Sequence, residues 1–230
     1  MPPMIHALDV PLLQVEKVWM RYRESADWVL RGCDLSLLAG ERVLIRGPNG
    51  SGKSTLLKLL AGLLRPQQGS CDRCGHRPCT CAYLAQEHSV DWQLPVTVED
   101  LVWSGRSGHL RWGLPARRRD RAVVDEALKA TATSDLRRRS IATLSGGQRQ
   151  RVLIARTLAQ EASVLLLDEP LSGLDRASRQ QLSQVLEHIA ERYGMSVVLT
   201  AHECADFALR IDRHLELQQG RLIETVAVCD

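Results

Sequence analysis

The sequence predicts an α/β fold with a mainly parallel sheet, and three observations carry that prediction. Two short runs that are apolar almost throughout, Val164 to Leu167 and Ser196 to Thr200, alternate with stretches of helical spacing, Gly146 to Gln160 and Arg176 to Tyr193. Strands of that composition are buried on both faces, as parallel strands under helices are. A Gly-rich turn joins the run ERVLIRG to KSTLLKLLAGLL, so a strand feeds a helix through a tight loop. Finally, 230 residues at 44% hydrophobic content supply the core of one large domain.

Taken in order, residues 12 to 46 alternate apolar and polar in three runs, LLQVEKVWM, VLRGCDLSLL and ERVLIRG, which predicts three strands. After the Gly-rich turn, Leu56, Leu57, Leu59, Leu60, Leu63 and Leu64 follow helical spacing up to Gly62 and Pro66. From residue 87 to 143 the text changes to helical pieces with Arg-rich faces, read as a helical subdomain inserted in a core of about 12–86 and 144–226. The alternating helices and strands named above follow, then a short helix from Cys204 to Ile211.

Composition removes several classes. Charged residues make up 25% of the chain, with Gly 16 and Pro 9, which fits neither a collagen-like nor a disordered protein. A net charge of +3 is too small to imply nucleic acid as a partner, and the Arg runs 117–119 and 137–139 read as solvated helix faces. No apolar stretch approaches the roughly 20 residues of a membrane span, and the opening MPPMIHALDVPLL lacks a basic n-region, so a cytoplasmic location is expected. Seven cysteines, four of them within 71–81, suit reduced thiols better than a disulfide framework.

Gly47-Pro48-Asn49-Gly50-Ser51-Gly52-Lys53-Ser54-Thr55 satisfies G-x-x-x-x-G-K-[ST] in the strand–loop–helix context the motif requires. The glycines let backbone N–H groups approach phosphate oxygens, and the helix N-terminus adds positive potential. Lys53 then reaches the β/γ-phosphates of ATP, and Ser54, with Thr55 beside it, offers a hydroxyl to Mg²⁺. Val164 to Leu167 ends in Asp168-Glu169, which delivers two carboxylates to the sheet edge where α/β proteins bind ligands. Asp168 suits Mg²⁺, and Glu169 suits activation of the water that attacks the γ-phosphate.

Leu144-Ser145-Gly146-Gly147-Gln148 opens a helix with a hydroxyl and two glycines, either a Ser cap or a second phosphate reader. Phosphate loop, LSGGQ and LLLDEP in this order resemble the ATP-binding cassette (ABC) ATPases over essentially the whole chain. The resemblance implies a P-loop NTPase domain with an N-terminal antiparallel β lobe and an inserted helical subdomain. It further implies that Gln86 is the Q-loop glutamine sensing Mg²⁺, Asp175 belongs to the D-loop, and His202 is the switch histidine at the γ-phosphate. Tyr22 matches the residue that stacks on adenine, although an aromatic in a strand is more often core. In this family each ATP lies between the loop of one copy and the LSGGQ of another, so a homodimer is implied, docked on a separate membrane permease.

The segment Gln86 to Val102, QEHSVDWQLPVTVEDLV, is similar to the ATPase subunits of manganese/zinc-type importers, with Gly105-Arg106 and Arg117 to Arg121 continuing the pattern. Leu94 stands where that subfamily usually has an aromatic. The resemblance implies a separate extracytoplasmic metal-binding protein as a further partner; iron-chelate importers and soluble, non-transport ABC ATPases are the alternatives. Cys71, Cys74, Cys79 and Cys81 lie outside the family pattern. They offer thiolates for Zn²⁺ or another soft metal, or else fill small positions of a β-hairpin.

Overall fold

The computed structural model describes residues 11–23, 26–73, 80–85, 90–110, 115–202 and 209–225. The first strands are β1 (Leu13–Met20), β2 (Leu30–Leu37) and β3 (Arg42–Arg46), followed by α1 (Lys53–Leu60), β4 (Gln68–Arg73) and β5 (Cys81–Leu84). Then come α2 (Val98–Trp103), a 3-10 turn (Ser104–Arg106), α3 (Arg118–Ala130) and α4 (Gly146–Leu158). The chain continues through β6 (Val164–Leu167), α5 (Arg176–Tyr193), β7 (Ser196–Ala201), β8 (Arg213–Gln218) and β9 (Arg221–Thr225).

Two sheets result, an antiparallel one of order β2-β1-β4 and a six-stranded one of order β5-β6-β7-β3-β8-β9. In the larger sheet every neighbouring pair is parallel except β8 with β9. Its central strands are apolar at successive positions because they serve two cores. Leu44, Leu165, Leu167, Val197 and Leu199 face a cluster shared with α2 to α5, while Val43, Ile45, Val164, Leu166 and Val198 face one shared with α1 and the smaller sheet. Among the described residues no helix is long and apolar enough to cross a membrane.

The structure departs from the sequence reading at several points. The first helix stops at Leu60, and Leu63 is 63% exposed, because Gly62 turns the chain at φ +75°. Cys71 and Cys81 do not share a hairpin: β4 pairs with β1 and β5 with β6, so they stand in different sheets. The helix expected at 204–211 falls mostly outside the described residues. Strands β8 and β9 have no counterpart in the sequence expectations, although Leu215 and Leu217 alternate with polar neighbours ahead of a Gly220 turn.

The helices between β5 and α4 are fastened to the rest by charge as well as by packing. Gly105 touches α4 so closely that a Cβ would lie 2.2 Å from the Arg156 carbonyl oxygen. The next residue, Arg106, is 2% exposed. Its guanidinium donates to Asp120 Oδ1 (2.8 and 3.2 Å), to the Ala159 carbonyl (2.8 Å) and to Glu161 Oε2 (2.7 Å), and Arg119 closes the network on Glu161 Oε1 at 2.8 Å. Asp120 also accepts from the Arg117 backbone at the start of α3. Hydrogen bonds from Arg106 and Arg117 hold the Asp120 carboxyl below its usual range.

Candidate nucleotide site

Parallel neighbours end at the same edge, and β6, β7 and β3 are neighbours. Their C-terminal ends therefore bring Asp168-Glu169, His202 and the loop 47–52 to one place, the crevice where open α/β sheets bind ligands.

The loop has its shape because two glycines stand where no side chain fits. A Cβ on Gly47 would meet the Leu217 carbonyl oxygen at 2.4 Å, and Gly52, the N-cap of α1, holds φ +108° against Val29 and Leu30. No side chain caps α1 and no acidic residue lies in its first turn, which leaves its N-terminal dipole for an anion. Pro48, Asn49 and Gly50 are exposed. The Ser51 hydroxyl is buried with no hydrogen-bond partner among the described residues, as a group awaiting a ligand would be. Lys53 is 5% exposed; its ammonium donates to the carbonyls of Gly47 (2.7 Å) and Pro48 (3.2 Å) and lies 3.3 Å from Glu169 Oε1.

Ser54 is half-buried, and the Thr55 hydroxyl shares a 3.1 Å hydrogen bond with that of Tyr22. Tyr22 is 41% exposed, so it is a lip of the loop and not core. The neighbouring tryptophans serve packing, with Trp28 edge-on to Trp19 and under Arg21.

Asp168 is 2% exposed, and each of its oxygens accepts one hydrogen bond: Tyr83 donates to Oδ2 (3.1 Å) and Thr200 to Oδ1 (2.9 Å). Burial, together with Asp168, pushes the Tyr83 phenol well above its ordinary pKa. Glu169 adopts φ +47°, the left-handed region that costs an L-residue about 1–2 kcal/mol. Its N–H donates to Thr200 Oγ1 at 2.9 Å. Sequence reasoning missed Tyr83 and Thr200, because their roles depend on β5 and β7 flanking β6, and strand order is not written locally. The exposed His202 follows β7 directly, and Gln86 lies outside the described residues.

Ser145 caps α4 in a reciprocal pair: its hydroxyl accepts from Gln148 N (3.4 Å) while Gln148 Oε1 accepts from Ser145 N (3.0 Å). Gly147 is small because α5 is close; a Cβ there would lie 2.8 Å from Ser178 Oγ. Ser145 and Gly146 are exposed, and among the described residues no hydrogen bond joins 145–148 to the loop 47–55. Asp175 caps α5, and hydrogen bonds from the Ser178 backbone and hydroxyl hold its carboxyl low. As for the cysteines, burial raises the Cys71 thiol and pushes Cys81 up to about 11, which favours the protonated forms. Cys74 and Cys79 lie outside the described residues, and no metal-binding group of three side chains occurs among those described.

A phosphate loop on a helix N-terminus, beside a strand that ends in adjacent carboxylates, places the molecule among the P-loop nucleoside triphosphatases. Within that class the profile of the ABC transporter family matches residues 30–172, and the chain belongs to that family; it is an ATPase. Relatives include the petrobactin import ATP-binding protein FpuC of Bacillus anthracis, 37% identical over 92% of this chain and 79% of that protein. The zinc import ATP-binding protein ZnuC of Chelativorans sp. is 41% identical over 78% of this chain and 59% of that one. The manganese transport system ATP-binding protein MntB of Halalkalibacterium halodurans is 34% identical over 91% and 84%. Among solved structures, an inward-facing transporter described as metal-chelate type superposes with a TM-score of 0.83 at 31% identity, covering 94% of this chain and 83% of that one. A dimeric ATP-binding cassette with ADP and Pi superposes at 0.77 and 26% identity, covering 93% and 97%.

Proposed function

We propose that this chain is the ATP-hydrolysing subunit of a manganese or zinc importer. It works as a homodimer on the inner face of the membrane, under a separate permease fed by an extracytoplasmic metal-binding protein. The segment 90–102 carries the reading. Trp92 packs on the larger core under the Arg149 guanidinium, 4.8 Å from the ring centroid, which joins this segment to the helix opened by Ser145. Leu94 two residues on is 46% exposed, an apolar contact for a membrane partner. The names of the zinc and manganese relatives support the cargo, and that of the petrobactin relative keeps an iron chelate as the competing one.

The residues present suit ATP and Mg²⁺. The Ser54 hydroxyl, Asp168 carboxylate and Gln86 amide are hard oxygen donors of the kind Mg²⁺ takes, and the unpartnered Ser51 hydroxyl lies in the loop that would wrap the phosphates. Held by these donors, Mg²⁺ would neutralise charge on the β- and γ-phosphate oxygens. Lys53 meets the same oxygens from the loop floor, and in doing so exchanges its contact with Glu169 for one with phosphate. Glu169 then accepts the proton of the attacking water, with His202 at the γ-phosphate and Tyr22 against the adenine. Ser145, Gly146, Gly147 and Gln148 of a second copy close over the nucleotide, with Asp175 beside them, because an exposed helix N-terminus is itself an anion site.

Metal-starved cells carrying the parental chain or Glu169→Gln decide the cargo, with Mn, Zn and Fe measured together by elemental analysis. Selective loss of manganese or zinc in the variant is the expected result. Loss of iron alone would move the protein to the chelate importers, and unchanged metals, with redundant uptake removed, would overturn the transport assignment.

A further inference from the structure

We infer that Thr200 is the positioning residue for both carboxylates of the site, with Tyr83 as its counterpart on the other oxygen of Asp168. The inference rests on the roles proposed above for Asp168 and Glu169. A hydroxyl has one proton to give and lone pairs to receive, and Thr200 uses both on consecutive residues. It donates to Asp168 Oδ1 and accepts from the Glu169 N–H, each at 2.9 Å.

The two bonds do different things. Thr200 and Tyr83 place one donor on each oxygen of Asp168, which fixes the carboxylate against rotation and leaves each oxygen a lone pair for a metal or its water. The bond to Glu169 N holds a backbone that sits at φ +47°, and with it the carboxylate 3.3 Å from Lys53. Without that anchor the backbone is at liberty to relax to negative φ and carry the carboxylate elsewhere. Thr200 is 1% exposed and lies two residues before His202, so one hydroxyl ties the end of β7 to the side chain of Asp168 and to the backbone of Glu169.

Thr200→Val keeps shape and removes the hydroxyl; Thr200→Ser keeps the hydroxyl and removes a methyl. Steady-state hydrolysis is measured for both, together with calorimetric binding of a non-hydrolysable ATP analogue with Mg²⁺ and with EDTA. In Thr200→Val, kcat is expected to fall about 10- to 100-fold, as it does on loss of outer-shell partners. Its binding of the analogue in EDTA stays near the parental value, and the gain in affinity from Mg²⁺ shrinks. Thr200→Ser is expected to recover most of kcat and of the Mg²⁺ effect. Parental kcat and Mg²⁺ effect in Thr200→Val overturn the inference, as does a serine variant as impaired as the valine one, which would assign the residue to packing.

Should Thr200→Val fail to fold, Tyr83→Phe decides: a reduced Mg²⁺ effect supports the clamp and an unchanged one removes it. Glu169→Gln run alongside separates the two levels. If it hydrolyses at the parental rate, the reading of the site itself is wrong. If it is inactive while Thr200→Val is parental, only the positioning role fails.

Discussion

Glu169→Gln is expected to lose most of its steady-state ATP hydrolysis while ATP still binds: this is the largest effect expected of any single substitution. The amide keeps the size of the side chain and, through its backbone N–H, the bond to Thr200, so the turn after β6 survives. What disappears is the proton acceptor proposed above, whose removal costs roughly 10²- to 10⁴-fold in rate, or about 3–5 kcal/mol of barrier. Lys53 also loses its carboxylate partner but keeps the Gly47 and Pro48 carbonyls, so the loop stays built and nucleotide affinity is preserved or improved. Phosphate release against time and sedimentation with excess ATP check both halves. The expected picture is phosphate release slowed by that factor and an ATP-bound dimer that persists. Turnover at the parental rate would move the base elsewhere.

Arg106→Met is the second, and it acts on the fold. Methionine replaces the apolar stem and nothing more, so Asp120, Glu161 and the Ala159 carbonyl lose their common donor inside the protein. Stranding charge in that way is far more damaging than losing a surface ion pair. The melting temperature is expected to drop by roughly 10 °C, with Arg106→Lys in between because three donors on one nitrogen cannot replace four bonds made from three guanidinium nitrogens. There is also a sign to the pH dependence. Asp120 has its pKa lowered by folding, so its stabilisation is complete above its unfolded value of about 4 and is lost as pH falls through the folded value. Glu161 behaves alike: burial raises its pKa, but hydrogen bonds from Arg119 and Arg106 outweigh burial and bring it down. The parental protein should therefore lose stability in acid more steeply than Arg106→Met. Equal acid profiles, or a melting temperature within a degree or two of parental, would deny the network its role.

What the sequence displayed and what it hid follow from range. The loop 47–55 is a local object, set by glycines and by one strand and one helix next to it, and it stands where the motif put it. The central strands were legible because burial on two faces makes every position apolar. Strand order was not, since it is fixed by packing between distant segments, and so Tyr83 and Thr200 could not be seen beside Asp168. Burial of Arg106 was equally invisible: arginine is almost always at the surface unless paired, and its partners lie 14 and 55 residues away. Ser145 shows the opposite case, a local cap that the sequence already offered as one of two readings and that the structure contains.

The left-handed backbone at Glu169 sets selection for stability against selection for work. Glycine would relieve that backbone strain but leave the buried Lys53 ammonium without its carboxylate, so the exchange is opposed both by that contact and by the proposed need for a carboxylate at the nucleotide. In descendants that have stopped turning over ATP the second restraint is gone, and position 169 is expected to decay toward glycine or asparagine, while the apolar strand leading to it stays intact. Such a change, found in a genome, would date the retirement of the enzyme before any damage to its core.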